Sequence, residues 1–194
     1  MKLAVCVLAL TAPVLAAAEP LEVAARLGAS RMPRAYDCDG ANLTEHGIGP
    51  LLDVEVGWRF SRHASIAGFA DYSTVRFDGS CHDMGTVTWG YREHVFDAGA
   101  RIQVTARGLF VGLGVGAEIT RESGQEIFTP RPVDPFPMTT TDSHQWRDGW
   151  LAEAHAGFTF PTLRSCRGCA IQLFGMVTSA ADTVTTRLGV GVQF

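Results

Sequence analysis

Charged residues recur at every second position in several stretches of the chain. In residues 52–60, Asp53, Glu55 and Arg59 alternate with five large apolar side chains. Because a strand has a side-chain period of two, such a stretch places charges on one face and apolar groups on the other. Charges removed from water must be paired or hydrogen-bonded, so strands of this kind facing each other would form ion pairs. The candidate charge network is Glu22, Arg26, Asp53, Glu55, Arg59, Asp71, Asp97, Arg101, Glu118, Glu153, His155 and Arg187.

Eight segments of the chain alternate in this way, and their lengths are close to those of membrane-spanning strands. A tilted strand needs about 9–11 residues to cross a bilayer. The segments are residues 21–30, 52–60, 65–73, 96–104, 109–120, 150–160, 171–178 and 184–194. The pattern predicts long connections at 31–50, 76–91 and 121–148, and short ones at 61–63 and 106–108. The proline-rich connection 121–148 is expected to be extended and irregular, with little pairing capacity.

The N-terminus predicts export from the cytoplasm. Lys2, an apolar run and small residues up to Ala18 are typical of a cleavable signal peptide, so we expect residues 1–18 to be removed. No later segment has the apolar length of a membrane helix. The net charge of -4 and the scattered basic residues do not favour a nucleic-acid partner. The remaining chain is either an exported soluble β-sandwich or a membrane barrel, and alternation with charged inner faces favours the barrel.

The chain ends on an alternating strand, Val190-Gly191-Val192-Gln193-Phe194. Together with the eight alternating segments, this ending resembles the small eight-stranded outer-membrane barrels, the class of the OmpA transmembrane domain and OmpX. The resemblance implies an all-β fold over residues 19–194, an eight-stranded antiparallel up-and-down transmembrane β-barrel. It also implies that Val190, Val192 and Phe194 form the signal read by the outer-membrane assembly machinery. Outer-membrane lipid and lipopolysaccharide are the expected surroundings of a monomer in a Gram-negative envelope.

The barrel interior has two interpretations. An eight-stranded barrel is just wide enough for its side chains to fill it, which favours a plug of ion pairs over a polar pore or a proton path through Glu153 and His155. Five apolar residues are also predicted to point inward, either as packing or as a narrow conduit of the OmpW type: Phe69, Phe110, Leu151, Phe174 and Met176. Aromatic belts at the two membrane interfaces are predicted from Trp58, Phe60, Phe158, Phe160 and Phe194 at one end and Tyr72, Phe96 and Trp150 at the other.

Four cysteines remain after removal of the signal peptide, an even number suited to an oxidising compartment. Cys38 and Cys81 fall in the first two long connections and are expected to form a disulfide. A zinc site built from these cysteines with nearby histidine and carboxylate groups is the alternative. Cys166 and Cys169 are expected to close their own turn, although their spacing also occurs in redox motifs.

The sequence predicts a non-enzymatic outer-membrane protein with a structural or surface-interaction role, without metal or cofactor. A narrow channel for small solutes is the second hypothesis. A lipid A-modifying enzyme is the third, with Ser143, His144 and Asp142 as its candidate groups. Adjacent serine and histidine side chains do not face each other well, and no third orienting group is fixed by spacing, so these residues are interpreted as solvated polar groups.

Overall fold

The computed structural model describes residues 21–38, 40–82, 85–132, 137–161, 169–180 and 183–194. The signal peptide predicted for residues 1–18 lies outside these ranges. Among the described residues, no helix is long and apolar enough to cross a membrane. The chain forms eight strands: β1 Leu21–Cys38, β2 Ala41–Ser61, β3 Ala64–His82, β4 Gly85–Ala106, β5 Leu109–Pro130, β6 Thr139–Pro161, β7 Ala170–Ala180 and β8 Thr183–Gln193.

The strands form a closed ring. Each strand pairs antiparallel with the next along the chain, and β8 returns to pair with β1. Val23 and Phe194 complete this seam by exchanging backbone hydrogen bonds of 3.3 and 2.8 Å. Where all eight strands overlap, closure leaves no free sheet edge, so each strand there has backbone partners on both sides. The predicted eight-stranded antiparallel up-and-down barrel is confirmed.

The barrel carries its apolar side chains on the outside and its charges on the inside. On β5, the Leu113 side chain is 70% exposed, whereas Arg101 on the neighbouring β4 is only 1% exposed. Asp53 and Arg187 are buried in the same way, while Leu188 and Val190 are exposed. This arrangement is the reverse of a soluble β-sandwich, whose apolar faces meet in a dry core. An exposed apolar band around a ring of this kind is what lipid contact requires.

Exposed aromatic side chains border this apolar band at both ends. We call the end to which the hairpins β1–β2, β3–β4 and β5–β6 project the outer end, and the opposite end the turn end. At the outer end the border residues are Tyr72, Phe96 and Trp150, and at the turn end they are Trp58, Phe60, Phe158 and Phe160, all exposed. Phe194, predicted to join the second group, is only partly accessible. Aromatic residues of this kind anchor a barrel at membrane interfaces.

The prediction of long irregular connections was wrong. β1 and β2 stay paired up to Cys38 and Ala41, so residues 31–38 and 41–48 form a paired ribbon. Residues 76–91 and 121–148 are likewise mostly strand, with β5 ending at Pro130 and β6 beginning at Thr139. Backbone pairing does not require one apolar face, and beyond the lipid both faces of a strand can be polar. Alternation therefore fades where the membrane ends, although the ladder continues.

The two predicted short connections are tight turns. At the turn end, Arg107 and Gly108 have φ angles of 52° and 85° and link Ala106 to Leu109. Two successive residues in the left-handed region are typical of the two-residue turns whose twist matches antiparallel strands. These turns fix the registers of the strand pairs that they join.

A disulfide links the outer parts of two hairpins. β2 and β3 stop pairing beyond Ile48 and Arg76, so their outer halves have no shared ladder. Cys38 near the tip of β1–β2 and Cys81 near the tip of β3–β4 are disulfide-bonded, with a Cα–Cα distance of 5.8 Å. The covalent bond thus joins two hairpins that lack a shared backbone ladder there, together with hydrogen bonds from Asp78 N–H and Trp89 Nε1–H to the Glu45 carboxylate. Cys166 lies outside the described residues, and its predicted pairing with Cys169 stays a prediction.

Candidate functional site

The register of the barrel sets acidic side chains next to each other in the interior. Asp53 on β2 lies opposite Asp71 on β3, and Asp71 lies opposite Asp97 on β4. Glu118 on β5 continues the row opposite Asp97. Like charges at directly opposed positions of a sheet repel each other. The row therefore requires cations from other strands.

Two arginines, one from β1 and one from β4, share the same pair of acids. Arg26 Nη1 lies 2.8 Å from Asp53 Oδ1 and 2.9 Å from Glu55 Oε2. Arg101 Nη1 lies 3.0 Å from Asp53 Oδ2 and 2.9 Å from the same Glu55 oxygen. Arg26 also donates its Nε–H to Gln172 Oε1 at 2.8 Å. Asp53 is consequently held between two guanidinium groups by charge-assisted hydrogen bonds, which are stronger than neutral ones.

Arg101 extends these contacts across the lumen. Its Nη2 lies 3.0 Å from Glu153 Oε2 on β6 and 3.7 Å from Asp71 Oδ2 on β3. The guanidinium carbon also lies 4.1 Å from the centre of the Phe69 ring, within cation–π range. Together with its contacts to Asp53 and Glu55 on β2, the Arg101 side chain therefore contacts groups on three other strands.

Arg187 supplies the cation for the remaining aspartates. Its Nη1 lies 3.0 Å from Asp71 Oδ2, and its Nη2 forms an ion pair with Asp97. The arginine stands on β8, whereas the two aspartates stand on β3 and β4. The contacts thus cross the lumen and tie the last strand to the middle of the sheet.

His155 joins the network through Glu153, the residue two positions before it. Its Nδ1 lies 2.9 Å from Glu153 Oε1, and its Nε2 lies 3.3 Å from Gln103 Oε1. Gln103 was not included in the predicted charge network, because its amide carries no charge. The imidazole is therefore held at both nitrogens, one by a carboxylate and one by an amide.

The structure corrects the predicted network at three residues. Glu22 and Arg59 form an ion pair of their own near the turn end, where the Arg59 side chain is 48% exposed. They lie close to strand ends, so water reaches them. Glu118 accepts a hydrogen bond from Thr120 Oγ1 at 3.1 Å and has no ion pair within the described part of the chain. The residue opposite it on β6 is Gly149, which offers no side chain.

Apolar side chains fill the space between the ionic groups. The five residues predicted to point inward are all buried, as expected. They belong to two interior clusters, Leu51–Phe110–Phe174–Met176 and Phe69–Leu151–Ala180, and a third cluster of Met32, Val75, Phe77 and Val95 lies towards the outer end. The aromatic rings of Phe69 and Phe174 also contact Arg101 and Arg26. The lumen is thus packed with alternating ionic and apolar groups.

The buried charges do not balance. Among the described residues, five carboxyl groups and three guanidinium groups are buried together in the lumen: Asp53, Glu55, Asp71, Asp97 and Glu153 with Arg26, Arg101 and Arg187. Asp53 and Asp71 oppose each other directly, and Asp71 Oδ1 has no hydrogen-bond donor among the described groups. Two carboxylates sharing one low-dielectric site are seldom both ionised. The geometry therefore favours one proton shared between these two aspartates.

A second ion cluster lies at the outer mouth of the barrel, and it was not predicted from the sequence. Arg34 Nη1 lies 3.2 Å from Glu93 Oε1 and 3.0 Å from Glu122 Oε2. Arg147 Nη2 lies 3.0 Å from the same Glu93 oxygen, and Arg34 lies over the Tyr91 ring at 4.2 Å. These residues keep the inward parity of their strands beyond the lipid-facing segments. Extending the inward parity of the spanning segments beyond Ser30 on β1 and back before Phe96 on β4 is what could have found them.

Glu93 is the most deeply buried acid of this outer cluster, with only 3% of its surface exposed. It lies three residues beyond Phe96, outside the apolar band. Burial raises the pKa of its carboxyl group above the usual value, and Arg147 and Arg34 only partly oppose this effect. Its Oε2 atom has no hydrogen-bond partner among the described residues.

The outer cluster borders open space between the hairpins. A cavity of about 590 Å³ is lined by Arg34, Tyr91, Glu93, Glu122, Ser143 and Arg147, among others. A second cavity of about 550 Å³ shares Arg34, Ala35 and Tyr91 with it. A separate small cavity of about 40 Å³ shares Met32, Glu93 and Arg147 with the first and is also lined by Ala180. The outer end is therefore an open cup above a filled barrel.

The candidate catalytic and metal groups do not come together. Ser143 and His144 are neighbours on β6, so their side chains point to opposite faces. Ser143 Oγ lies 3.5 Å from Glu122 Oε1 in the cup, whereas His144 is exposed on the outside. Both thiols of the alternative zinc site are joined in the disulfide, and among the described residues no group of three or more His, Cys, Asp or Glu side chains is arranged to hold a metal ion.

Comparison with known proteins places the architecture among solved barrels. No protein-family model matches the chain, and no curated protein matches it either. Ail, the attachment invasion locus protein of Yersinia pestis, shares 13% identity over 89% of this chain and 98% of its own, with a TM-score of 0.52. OprG, an outer membrane protein of Pseudomonas aeruginosa, shares 9% identity over 89% of this chain and 95% of its own, with a TM-score of 0.50. The chain has the fold of small eight-stranded outer-membrane barrels. At these identities the likeness concerns the fold.

Replacing Arg101 with methionine tests the central network. Arg101→Met leaves Asp53, Glu55 and Glu153 with fewer buried partners, and removing one member of a buried pair costs about 3–5 kcal/mol. Arg59→Met is the matched control, because a partly exposed pair contributes only about 0–1 kcal/mol. Both free energies of unfolding can be measured by urea titration of the protein folded in detergent micelles. Equal losses of unfolding free energy in the two variants would contradict the inference that burial makes this network more stabilising than an exposed ion pair.

Neutralising Asp71 and Asp53 separately tests the shared proton. Asp71→Asn should change the free energy of unfolding by about 1 kcal/mol or less, because the introduced amide can donate to Asp53 while still accepting from Arg187. Asp53→Asn should cost about 3–5 kcal/mol, because it weakens the pairing of two buried guanidinium groups. The same urea titration at neutral pH compares them. A larger loss for Asp71→Asn than for Asp53→Asn would show that no proton is shared there.

Proposed function

We propose that this chain is an integral outer-membrane protein whose barrel is closed and whose outer hairpins contact molecules outside the cell. The observation that carries the location is the inverted distribution of side chains: exposed leucines and valines surround the ring, while arginines and aspartates are buried inside it. In water, such a surface would expose far more contiguous apolar area than a soluble monomer shows. Lipid removes that cost, and the fold shared with OprG supports the same compartment.

The packed interior supports a non-conducting barrel. Arg101 reaches acids on β2, β3 and β6, and Arg187 reaches acids on β3 and β4, so charged side chains bridge the lumen from several sides. Phe69, Phe110 and Phe174 fill space between these bridges. Opening a path would require separating ion pairs in a region of low dielectric, which is costly.

The outer hairpins support a role in surface contact. β1 to β6 contain 18–23 residues each, about twice the length that a spanning strand requires. The excess length forms paired ribbons beyond the apolar band, and Cys38–Cys81 joins two of them. Rigid ribbons around a polar cup present side chains in fixed positions, which lowers the entropic cost of binding a partner.

The partners of the serine and cysteine side chains in the outer hairpins favour a role without catalysis. In the described part of the chain, no serine hydroxyl is hydrogen-bonded to a histidine ring; Ser143 donates to Glu122 instead, and the Cys38 and Cys81 thiols form a disulfide. Activation of a serine or cysteine nucleophile needs a base within hydrogen-bonding reach. A structural or surface-interaction protein is therefore the function that the geometry supports best.

Membrane insertion can be tested by fractionation and gel migration. The unboiled protein from the outer-membrane fraction should migrate differently from the boiled protein, because the closed ring of backbone hydrogen bonds resists detergent until it is heated. Recovery of the protein in the soluble periplasmic fraction, with one migration position before and after boiling, would overturn the proposed location.

A narrow solute channel is the competing function, favoured by the cup of about 590 Å³ that leads towards the lumen. Planar-bilayer recordings on the folded protein distinguish the two. We expect no reproducible conductance steps in the native protein, because ionic and apolar groups fill the barrel below the cup. Steps of constant size that disappear when the protein is heat-denatured before insertion would favour the channel.

A further inference from the structure

The outward surface of β3, β4 and β5 carries basic side chains just beyond the apolar band. The band ends on these strands with the row Tyr72, Phe96 and Ile119, which lie opposite one another. The positions that follow towards the outer end are exposed or partly exposed and mostly basic. We call them the outer basic patch, and its members are Arg76, Arg92, His94 and Arg121.

Two arginines of the patch repel each other in the protein alone. Arg76 and Arg92 lie directly opposite one another on neighbouring strands, and both side chains point outward. Like charges in this position are destabilising. Arg76 has one acidic neighbour, Asp78, whose Oδ2 lies 2.6 Å from its Nε. Arg92 has no side-chain hydrogen bond or ion pair to any described residue.

The remaining charges leave the patch positive. Arg121 lies opposite His94 and contacts the ring of Trp146 at 5.5 Å, not an acid. His94 accepts or donates a hydrogen bond with the Tyr72 hydroxyl at 2.8 Å. The nearest outward acid besides Asp78 is Asp148, which lies opposite Ile119 at the edge of the band. Three guanidinium groups thus face at most two carboxylates.

The position of the patch matches the depth of lipid headgroups. Arg121 lies two residues beyond Ile119, and Arg92 lies four residues beyond Phe96, which is about 7 and 13 Å along the strands. Strand tilt shortens these heights, and the polar zone of a bilayer extends roughly 5–8 Å beyond the hydrocarbon on each side. Long arginine side chains can bend back towards that zone. The patch is therefore within reach of groups at the lipid surface.

We propose that the outer basic patch binds the phosphate groups of glycolipid in the outer leaflet. An anion placed between Arg76 and Arg92 would convert their repulsion into two favourable contacts, and guanidinium groups match phosphate oxygens in geometry. The apolar band directly below would receive the acyl chains of the same molecule. This inference rests on the proposed outer-membrane location, since only there does phosphorylated glycolipid meet this surface.

The test measures glycolipid binding to the folded protein in zwitterionic detergent micelles, and so does not depend on where the protein resides in a cell. The probe is lipid A carrying two phosphates, compared with the same lipid after removal of its phosphates. The variant Arg76→Gln/Arg92→Gln should bind the phosphorylated lipid on the order of tenfold more weakly than the native protein does. Both proteins should bind the dephosphorylated lipid equally and weakly.

The control variant is Arg62→Gln/Arg107→Gln, which removes the same charge from exposed turns at the opposite end of the barrel. It should bind lipid A within about twofold of the native protein, since its arginines lie far from the patch. Heat-modifiable migration of both variants checks that each is folded. Equal binding of the two lipids by the native protein, or equal weakening in both variants, would overturn the proposal. Complete displacement by an equal concentration of inorganic phosphate would overturn it too, because the patch would then be a site for soluble anions.

Discussion

The structure depends on the pairing of polar groups in places that water does not reach. Closing eight strands into a ring provides backbone partners for the lipid-facing region, where an unpaired amide would cost several kcal/mol. The same closure traps every inward side chain in a narrow lumen. Arg26, Arg101 and Arg187 are tolerated there because each contacts two or more acids within hydrogen-bonding distance. Ring closure therefore makes charge pairing necessary, because an inward charge in the closed lumen has no water to replace a lost partner.

This constraint explains why the interior combines ionic and aromatic groups. A guanidinium has flat apolar faces and polar edges, so it can pair with carboxylates at its rim while a ring covers its face. Arg101 does both, with Asp53 and Glu153 at its edges and Phe69 over its plane. A lysine could supply the charge but not the flat surface. The interior thus remains dense despite its large number of charges.

Alternation in the sequence was sufficient to predict the spanning segments and the direction in which their side chains point. Residues 52–60 and 184–194 carry the pattern most clearly, because lipid demands apolar groups at every second position there. Beyond the lipid this demand ends, so the paired residues 31–38 with 41–48 and 121–128 with 139–146 looked like loops. The outer cluster around Arg34 and Glu93 was missed for the same reason. Partner choice could not be predicted either, since the contact between Arg187 on β8 and Asp71 on β3 depends on the register of the closed ring.

A substitution of a charged residue costs more stability within the apolar band than in the cup, and this difference bears on function. Within the band, Arg101 has no access to water, so losing a partner leaves a charge that nothing replaces. In the cup, Arg147 has more than half of its side chain exposed, so water replaces a lost contact with Glu93. The fold therefore constrains the outer residues weakly while the ladder and the Cys38–Cys81 bond hold them in place. A surface whose backbone is fixed in position, but whose side chains can be substituted at little cost in stability, is suited to recognition. The outer hairpins combine these two properties in the part of the chain that lies beyond the lipid.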